Sequence, residues 1–294
     1  MRPPGSGACS CLHAYLPDSF AKFVTERAAE AVMTQEFYLL KLGPPSGCSP
    51  SPWSSIASCI PSLIAIWQRL PKAQQPRLVW AGQGEAVIAP PARLEPRNSQ
   101  LWDLALIVQY PEDLREPGSA RVENLGQFVD EFHTEIEDTP ADFHTKAASG
   151  STGSADVPRT HSLPGYNRIK KMYQQSPKPG TPVHMINLLH FAPNTGKQHY
   201  EQYLEACAPA LGAFGAKIAY HGKVLAKDSD QGGKQWDSLL IGAYPDKLAL
   251  IHGVIHPSYL EAFKMRENAL TDAMLLATIP VDLTSYDALV HAKL

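Results

Sequence analysis

Apolar side chains recur along residues 200–214 at the spacing of one helix face. Tyr200, Tyr203, Leu204, Cys207, Leu211 and Phe214 occupy positions i, i+3, i+4, i+7, i+11 and i+14. This spacing places all of them on one side of an α-helix, so it predicts an amphipathic helix. Residues 54–70 predict a weaker helix in the first half of the chain, which Pro61 should kink or begin.

Other runs predict strands and further helices. Residues 237–244 are apolar at nearly every position, which is typical of a strand buried on both faces. Residues 77–89 predict a pair of strands around Gly82 and Gly84, and residues 217–227 predict strands around Gly222. Helices are predicted at residues 166–175 and 258–273, and by a poorer pattern at 123–137. A last strand is predicted at residues 275–283.

The order of these elements repeats along the chain. Residues 102–111, which begin Trp-Asp and end Tyr-Pro, match residues 236–245 in register, and residues 39–47 align with 188–196. Each half therefore predicts a β-α-β-β-α-β unit of the ferredoxin-like α+β class, with helices on one face of its sheet. Two such units can cover each other's open faces. We expect a pseudo-dimeric α/β barrel with a cavity between the two sheets.

Composition divides the chain into four parts and narrows the functional classes. Residues 147–161 are small, polar and without period, which is typical of a linker. We predict a disordered tail at 1–18, a degenerate first unit at 19–146, a linker at 147–165 and a second unit at 166–294. The 26 basic and 29 acidic residues give a net charge of −3, which disfavours nucleic-acid binding.

The cellular setting follows from two further features. The longest near-apolar run, residues 56–67, is interrupted by Pro61 and is too short for a membrane span. The five cysteines have no CxxC spacing, and the N-terminus lacks the apolar stretch of a secretory signal. We therefore predict a reduced, cytoplasmic location.

The second half resembles the DUF1330 family over about residues 182–280. The resemblance is carried by residues 183–191 (VHMINLLHF), Tyr200 and Tyr203, Gly222, Trp236-Asp237, Tyr244-Pro245, and His256-Pro257-Ser258-Tyr259 followed by Arg266. It implies the dimeric α/β-barrel superfamily, in which two ferredoxin-like units enclose a ligand pocket, and it leaves a homodimer open. Similar barrels in microbial and fungal natural-product pathways cyclise, dehydrate, decarboxylate or hydrolyse polyketide-like molecules. Others oxidise aromatic compounds without a cofactor or bind haem. The first half departs from the family, with Tyr38 at the position of Asn187.

Two aspartates are candidate catalytic groups because of the repeat. Asp103 and Asp237 begin equivalent strands, so pseudo-twofold symmetry could bring two carboxylates to one cavity. Paired carboxylates with separated pKa values can open an epoxide or protonate a leaving group. The alternative is that each aspartate caps a turn or pairs with a lysine at the barrel rim.

Histidine, tyrosine and arginine supply the other candidates. His184, on the opposite strand face from Asn187, and His221 could transfer protons near neutral pH. Tyr220, beside His221, or Arg266 could stabilise an oxyanion that develops in the reaction. Arg266 lies on a helix flank and needs an acceptor, either a carboxylate or a substrate oxygen. His252 and His256 have metal-ligand spacing without a third ligand nearby, so no metal or cofactor is predicted.

These observations predict a cofactor-independent acid/base enzyme. It would act on a hydrophobic polyketide-like molecule by cyclisation, epoxide opening or dehydration. One alternative is a cofactor-independent oxygenase or haem-binding barrel, and another is a non-catalytic binding or scaffold protein. Catalysis predicts that two or more of His184, His221, Asp103 and Asp237 converge in a cavity of a few hundred Å³. Their scattering would favour binding.

Overall fold

The computed structural model describes residues 33–42, 55–89, 102–111, 121–122, 130–138, 163–175, 180–225 and 236–284. The strands are β1 (Met33–Lys41), β2 (Arg77–Ala89), β3 (Leu104–Pro111), β4 (Asp130–Asp138), β5 (Val183–Phe191), β6 (Lys217–Val224), β7 (Ser238–Tyr244) and β8 (Leu270–Pro280). The helices are α1 (Ile56–Trp67), α2 (Tyr166–Gln175), α3 (Gly196–Gly212), α4 (Lys247–Ile255) and α5 (Pro257–Ala269), with a 3₁₀ turn at Lys72–Gln74. The predicted tail and most of the predicted linker lie outside these residues, and the unit boundaries stay predictions.

The eight strands close into one antiparallel barrel in the order β1-β3-β2-β8-β5-β7-β6-β4. The strands of the first half are neighbours in the order β4-β1-β3-β2, and those of the second half follow the equivalent order β8-β5-β7-β6. The halves meet where β2 pairs with β8 and where β4 pairs with β6. A mixed α/β fold with a closed barrel is therefore confirmed.

Apolar side chains from both halves fill the barrel interior. Its cluster includes Phe37, Leu39, Ile107, Ile186, Leu188, Tyr220, Leu239, Ile241, Met274 and Leu276. Within the described residues, a void near Trp102 and Gly84 has a volume of about 10 Å³, which is room for about one water molecule. Among the described residues, the barrel interior is therefore packed, in contrast to the prediction of a ligand cavity between the two sheets.

Helices cover the outer face of the barrel in both halves. In the first half, α1 packs Cys59, Ile60, Leu63 and Trp67 against the strands, and Pro61 is accommodated inside the helix. In the second half, α3 buries Tyr200, Tyr203 and Cys207, as their spacing predicts, and α2, α4 and α5 pack around it. No helix in the described parts of the chain is both long and apolar enough to cross a membrane.

Five elements differ from the sequence-based expectation. Residues 217–224 form the single strand β6 instead of strands around Gly222. Residues 130–138 form β4 instead of the end of a helix, because Phe132, Thr134 and Ile136 alternate with charged or polar residues at the period of a strand. Residues 77–89 form one long strand with bulges instead of two strands. Residues 270–273 begin β8 instead of ending α5. Helix α4 was missed, although the Asp246 carboxylate caps it by accepting a hydrogen bond from Ala249 N at 2.8 Å.

Candidate functional site

The two repeated aspartates hold equivalent corners of the barrel. Each carboxylate accepts a hydrogen bond from a backbone N–H at the end of the first strand of its half and lies beside a basic side chain. Asp103 accepts from Leu42 N at 2.8 Å and lies 3.1 Å from Lys41 Nζ. Asp237 accepts from Phe191 N at 2.7 Å and lies 3.0 Å from His190 Nδ1. Charge-assisted bonds of this kind join the first and third strands of each half. The structure thus gives both carboxylates a local partner and does not bring them together in a cavity.

His184 and Tyr220 lie in contacts between the two halves. Trp80 Nε1 donates a hydrogen bond to His184 Nδ1 at 3.0 Å, and the two rings stack with centroids 6.0 Å apart. Burial lowers the pKa of His184, and the charge of Lys217 acts in the same direction. Tyr220 Oη donates to Gln35 Oε1 at 2.8 Å. Both candidates therefore help to join the halves.

These two contacts are related by the repeat. Trp80 and Tyr220 each follow a register shift in the second strand of their half, and each ring lies close to a glycine two residues further on. A Cβ atom on Gly82 would lie 2.6 Å from the Trp80 ring, and one on Gly222 would lie 2.8 Å from the Tyr220 ring. Glycine is thus required at both positions by the close approach of the aromatic ring.

Of the six predicted site residues, Arg266 alone lines a substantial cavity. His221 lies on the other face of β6 from Tyr220, with its Nε2 atom 3.2 Å from Ser238 Oγ. The expected convergence of His184, His221, Asp103 and Asp237 does not occur, since none of them lines this cavity. The arginine on the flank of α5 is the candidate that the structure leaves at a possible ligand site.

The cavity lies in the second half, between the outer face of the sheet and helices α2 to α5, and has a volume of about 140 Å³. Its lining is mainly aliphatic and aromatic, and includes Ile88, Leu163, Met185, Leu204, Leu211, Ile218, Leu240, Leu250, Val254, Phe263 and Leu275. Ile88 belongs to β2, so the long second strand of the first half contributes to a wall of this cavity.

Four tyrosines and one cysteine supply hydroxyl and thiol groups to this lining. Burial raises the pKa of Tyr200, Tyr203, Tyr244 and Tyr259, so all four are neutral at pH 7. Tyr203 Oη donates a hydrogen bond to Tyr259 Oη at 3.2 Å. Burial also raises the pKa of the Cys207 thiol to about 12, so the group is not an activated nucleophile.

Arg266 brings a positive charge to the cavity. Its guanidinium lies 5.4 Å from the centroid of the Phe263 ring, and Nη2 is buried without a hydrogen-bond partner among the described residues. Asn187 is anchored, because its Nδ2 donates to Met185 O at 2.9 Å and to Leu240 O at 3.3 Å. A guanidinium N–H in this state needs an acceptor, which a ligand oxygen could provide.

Metal and haem chemistry find little support in the described residues. They contain no group of three or more His, Cys, Asp or Glu side chains that could hold a metal ion. His252 packs on Phe214, and His256 Nδ1 accepts a hydrogen bond from Ser258 N at the start of α5. No histidine is among the described lining residues, so an axial ligand to haem iron there would have to be Cys207 or a tyrosine, and burial opposes the deprotonation of these groups.

The tyrosine hydroxyls are a polar feature of the site that the sequence pattern does not identify. The spacing of Tyr200 and Tyr203 predicts the buried position of their rings on α3, which the structure confirms, but it does not predict where their hydroxyls lie. Their spacing of three, with Tyr259 seven residues before Arg266, was the available signal. The signal was ambiguous because a tyrosine ring packs equally well in a closed core and at a cavity wall.

No protein-family model matches the chain, and no curated protein sequence matches it at a significant level. Among solved structures, it is similar to an anthrone oxidase-like protein, with a TM-score of 0.46 and 9% identity over 87% of this chain and 93% of that chain. It is also similar to a mutant of chlorite dismutase from Candidatus Nitrospira defluvii, with a TM-score of 0.42 and 10% identity over 90% and 97% of the two chains. A protein of unknown function from Rhodopseudomonas palustris is 24% identical over 44% of this chain and 99% of that chain, with a TM-score of 0.36. At these TM-scores the similarities carry no inference about what this chain does.

Proposed function

We propose that this protein binds a hydrophobic small molecule in the cavity of its second half and holds an oxygen atom of that molecule on Arg266. The observation that carries this proposal is Arg266 Nη2, which is buried at the wall of an apolar cavity and has no hydrogen-bond partner among the described residues. A buried donor without an acceptor costs about 1–3 kcal/mol, and more when it is charged. A ligand oxygen would recover that free energy while its apolar part displaces water from the cavity.

The size of the cavity limits the ligand. An engineered apolar cavity of about 150 Å³ in another protein holds one benzene molecule, and the cavity here is about 140 Å³. This volume is below the few hundred Å³ that the sequence-based hypothesis expected. We therefore propose a ligand that places about one ring in the cavity, as one end of a two-ring or larger polyketide-like molecule would.

The catalytic form of the proposal assigns Arg266 and Tyr200 to charge stabilisation. Burial raises the pKa of Tyr200 and the nearby guanidinium partly opposes that rise, so the neutral hydroxyl and the cation share one wall. Such a pair suits a reaction in which negative charge develops on oxygen, such as cofactor-independent ring closure, epoxide opening or dehydration.

Non-catalytic binding is the second candidate, and one observation favours it. The described lining of the cavity includes no histidine, aspartate or glutamate that could accept a proton. The histidines and aspartates predicted for that role have partners elsewhere, at the strand corners and between the halves.

Binding is tested with naphthol, a two-ring probe whose fluorescence reports transfer from water to an apolar site. We expect saturable binding of one probe per chain. Gly242 lines the cavity, and a Cβ atom there would lie 3.6 Å from the Tyr244 ring, so Gly242→Val should fit and fill space. This variant should weaken naphthol binding at least about tenfold, whereas Glu205→Ala on the exposed face of α3 should not. Equal binding by both variants would place the probe elsewhere.

Catalysis is tested with styrene oxide, a one-ring epoxide, by chromatography of the diol. The catalytic form predicts turnover that Arg266→Gln lowers by about two orders of magnitude, since one oxyanion donor contributes about that much. Naphthol binding without turnover would instead select the non-catalytic candidate.

A further inference from the structure

A buried polar cluster in the first half occupies the place that corresponds to the cavity. The Glu36 carboxylate is fully buried and accepts hydrogen bonds from Tyr38 Oη and from Arg121 Nη2. Tyr38 Oη and Tyr110 Oη are 3.1 Å apart, and the Arg121 guanidinium lies 5.1 Å from the centroid of the Tyr110 ring. These side chains project to the same face of the barrel as the residues that contact α1. The first half therefore encloses one carboxylate, one guanidinium and two tyrosine hydroxyls.

The repeat gives Glu36, Tyr38 and Tyr110 counterparts in the second half. Continuing the alignment of residues 39–47 with 188–196 toward the N-terminus pairs Glu36 with Met185 and Tyr38 with Asn187, and the alignment of 102–111 with 236–245 pairs Tyr110 with Tyr244. The strand register agrees, because Glu36 lies opposite Val108 and Met185 lies opposite the equivalent Gly242. Arg121 and Arg266 both belong to the segment between the third and fourth strands of their half. The second half thus keeps a guanidinium and tyrosine hydroxyls but has a methionine where the first half has its carboxylate.

We propose that the cavity binds a small apolar monocarboxylate, with one ring or a comparable aliphatic body, whose carboxylate takes the role that Glu36 has in the first half. This inference rests on the proposed function and names its ligand class. The charge of the lining supports it, because the described lining residues include two basic ones, Lys217 and Arg266, and no acidic one. A guanidinium can donate two parallel hydrogen bonds to one carboxylate, which a neutral ligand oxygen cannot accept in the same way.

The hydroxyl groups extend this complementarity. An ionised carboxylate accepts about four hydrogen bonds, whereas one arginine donates about two to it in a bidentate pair. In the first half the Tyr38 hydroxyl is a further donor to the Glu36 carboxylate. In the second half Tyr200, Tyr203 and Tyr259 line the cavity close enough to Arg266 for its charge to oppose the rise of their pKa values. Neutral tyrosines beside a cation are suitable donors for an anionic oxygen.

The first test compares benzoate with benzamide, which has nearly the same shape but no charge, by calorimetry on the full chain at about pH 7. We expect benzoate to bind at least about tenfold more tightly. Arg266→Gln should remove this preference, and Arg266→Lys should retain part of it because the charge remains. If naphthol and benzamide bind and benzoate binds no better, the monocarboxylate inference is overturned while the proposed function stands. If none of the three probes binds, both fail.

The second test supplies the missing carboxylate from the protein itself. Met185→Glu places an acidic side chain at the position equivalent to Glu36, and Met185→Gln is the uncharged control of the same size. We expect the glutamate variant to bind benzoate at least about tenfold more weakly than the glutamine variant, because its own carboxylate engages Arg266. Equal benzoate affinity of the two variants contradicts the inference. Should Met185→Glu not fold, the Arg266 variants decide alone.

Discussion

The two halves of the barrel share a frame and differ in what lies between sheet and helices. In the first half, Tyr38 and Val108 project toward α1, and the described side chains in this layer pack and pair with one another. In the second half, the corresponding residues are Asn187 and Gly242, and a cavity of about 140 Å³ remains. Two smaller residues on adjacent strands therefore account for much of the difference between a packed wall and a hollow one.

The features that match between the halves have structural roles. Asp103 and Asp237 fix equivalent strand corners, and Trp80 and Tyr220 join the halves at equivalent bulges. The residues that differ, by contrast, create the cavity. In this chain most matched residues belong to the frame, whereas the residues that open the cavity, beside the matched Tyr244, depart from the repeat.

The largest expected effect is a loss of unfolding free energy when the buried polar cluster of the first half is disrupted. Glu36→Gln keeps the size of the side chain but removes the buried negative charge that the Arg121 guanidinium contacts. Loss of one partner of a buried ion pair destabilises by about 3–5 kcal/mol. Its counterpart Met185→Leu should cost less than about 1.5 kcal/mol, since it conserves volume. Urea unfolding measures the unfolding free energy of both variants. Equal losses would contradict the difference between a buried ion pair in the first half and an apolar cavity wall in the second.

The next largest loss of unfolding free energy is expected at the equivalent strand corners held by Asp103 and Asp237. Asp103→Ala and Asp237→Ala each remove a charged acceptor from a backbone N–H, which should cost about 1.5–3 kcal/mol. The two losses should be similar and should add in the double variant, because the sites are independent. A large loss of naphthol binding in Asp237→Ala, with stability unchanged, would instead support the predicted catalytic role of this aspartate.

A smaller effect is expected at the contacts between the halves. Trp80→Phe and Tyr220→Phe each remove one hydrogen-bond donor, to His184 and Gln35 respectively, and each should cost about 1 kcal/mol in unfolding free energy. Neither should change naphthol affinity, because neither residue lines the cavity. A variant that binds naphthol more weakly but keeps its unfolding free energy would indicate that the binding site lies in the barrel interior.

The smallest effect is a difference in pH dependence. Burial lowers the pKa of His184, so the folded chain binds this proton less readily than the unfolded chain. The stability that neutral His184 contributes is complete above its ordinary pKa of about 6.5 and is lost as pH falls through the lower folded value. His184→Gln installs the residue found at the equivalent Gln35. Between about pH 7.5 and about pH 5, the variant should lose less unfolding free energy than the parent chain.

Much of the frame was predictable from sequence, because it depends on local periodicity and on the repeat. Helix α2 begins and ends at the predicted residues, and the buried face of α3 follows its spacing. The cavity was not predictable in the same way. Its position depends on which face of the strands carries the larger side chains. Because the repeated strands are apolar on both faces, their pattern does not show whether the barrel interior or the layer under the helices is filled.

The candidate residues show the same limit. Arg266 was chosen because a guanidinium on a core-facing flank needs an acceptor, and that argument holds in the structure. Asp103, Asp237 and His184 were chosen for their chemistry, but nearby backbone and ring partners satisfy them first. Sequence identifies groups that could react, whereas tertiary contacts determine which of them remain available.

The asymmetry between the halves is tested most directly by a crystal structure under xenon pressure, since xenon enters apolar cavities that are empty of side chains. We predict a xenon atom between α3, α5 and the sheet of the second half, displaced in Gly242→Val, and none between α1 and the sheet of the first half. Xenon in the first half or inside the barrel, with none in the second-half cavity, would contradict the account.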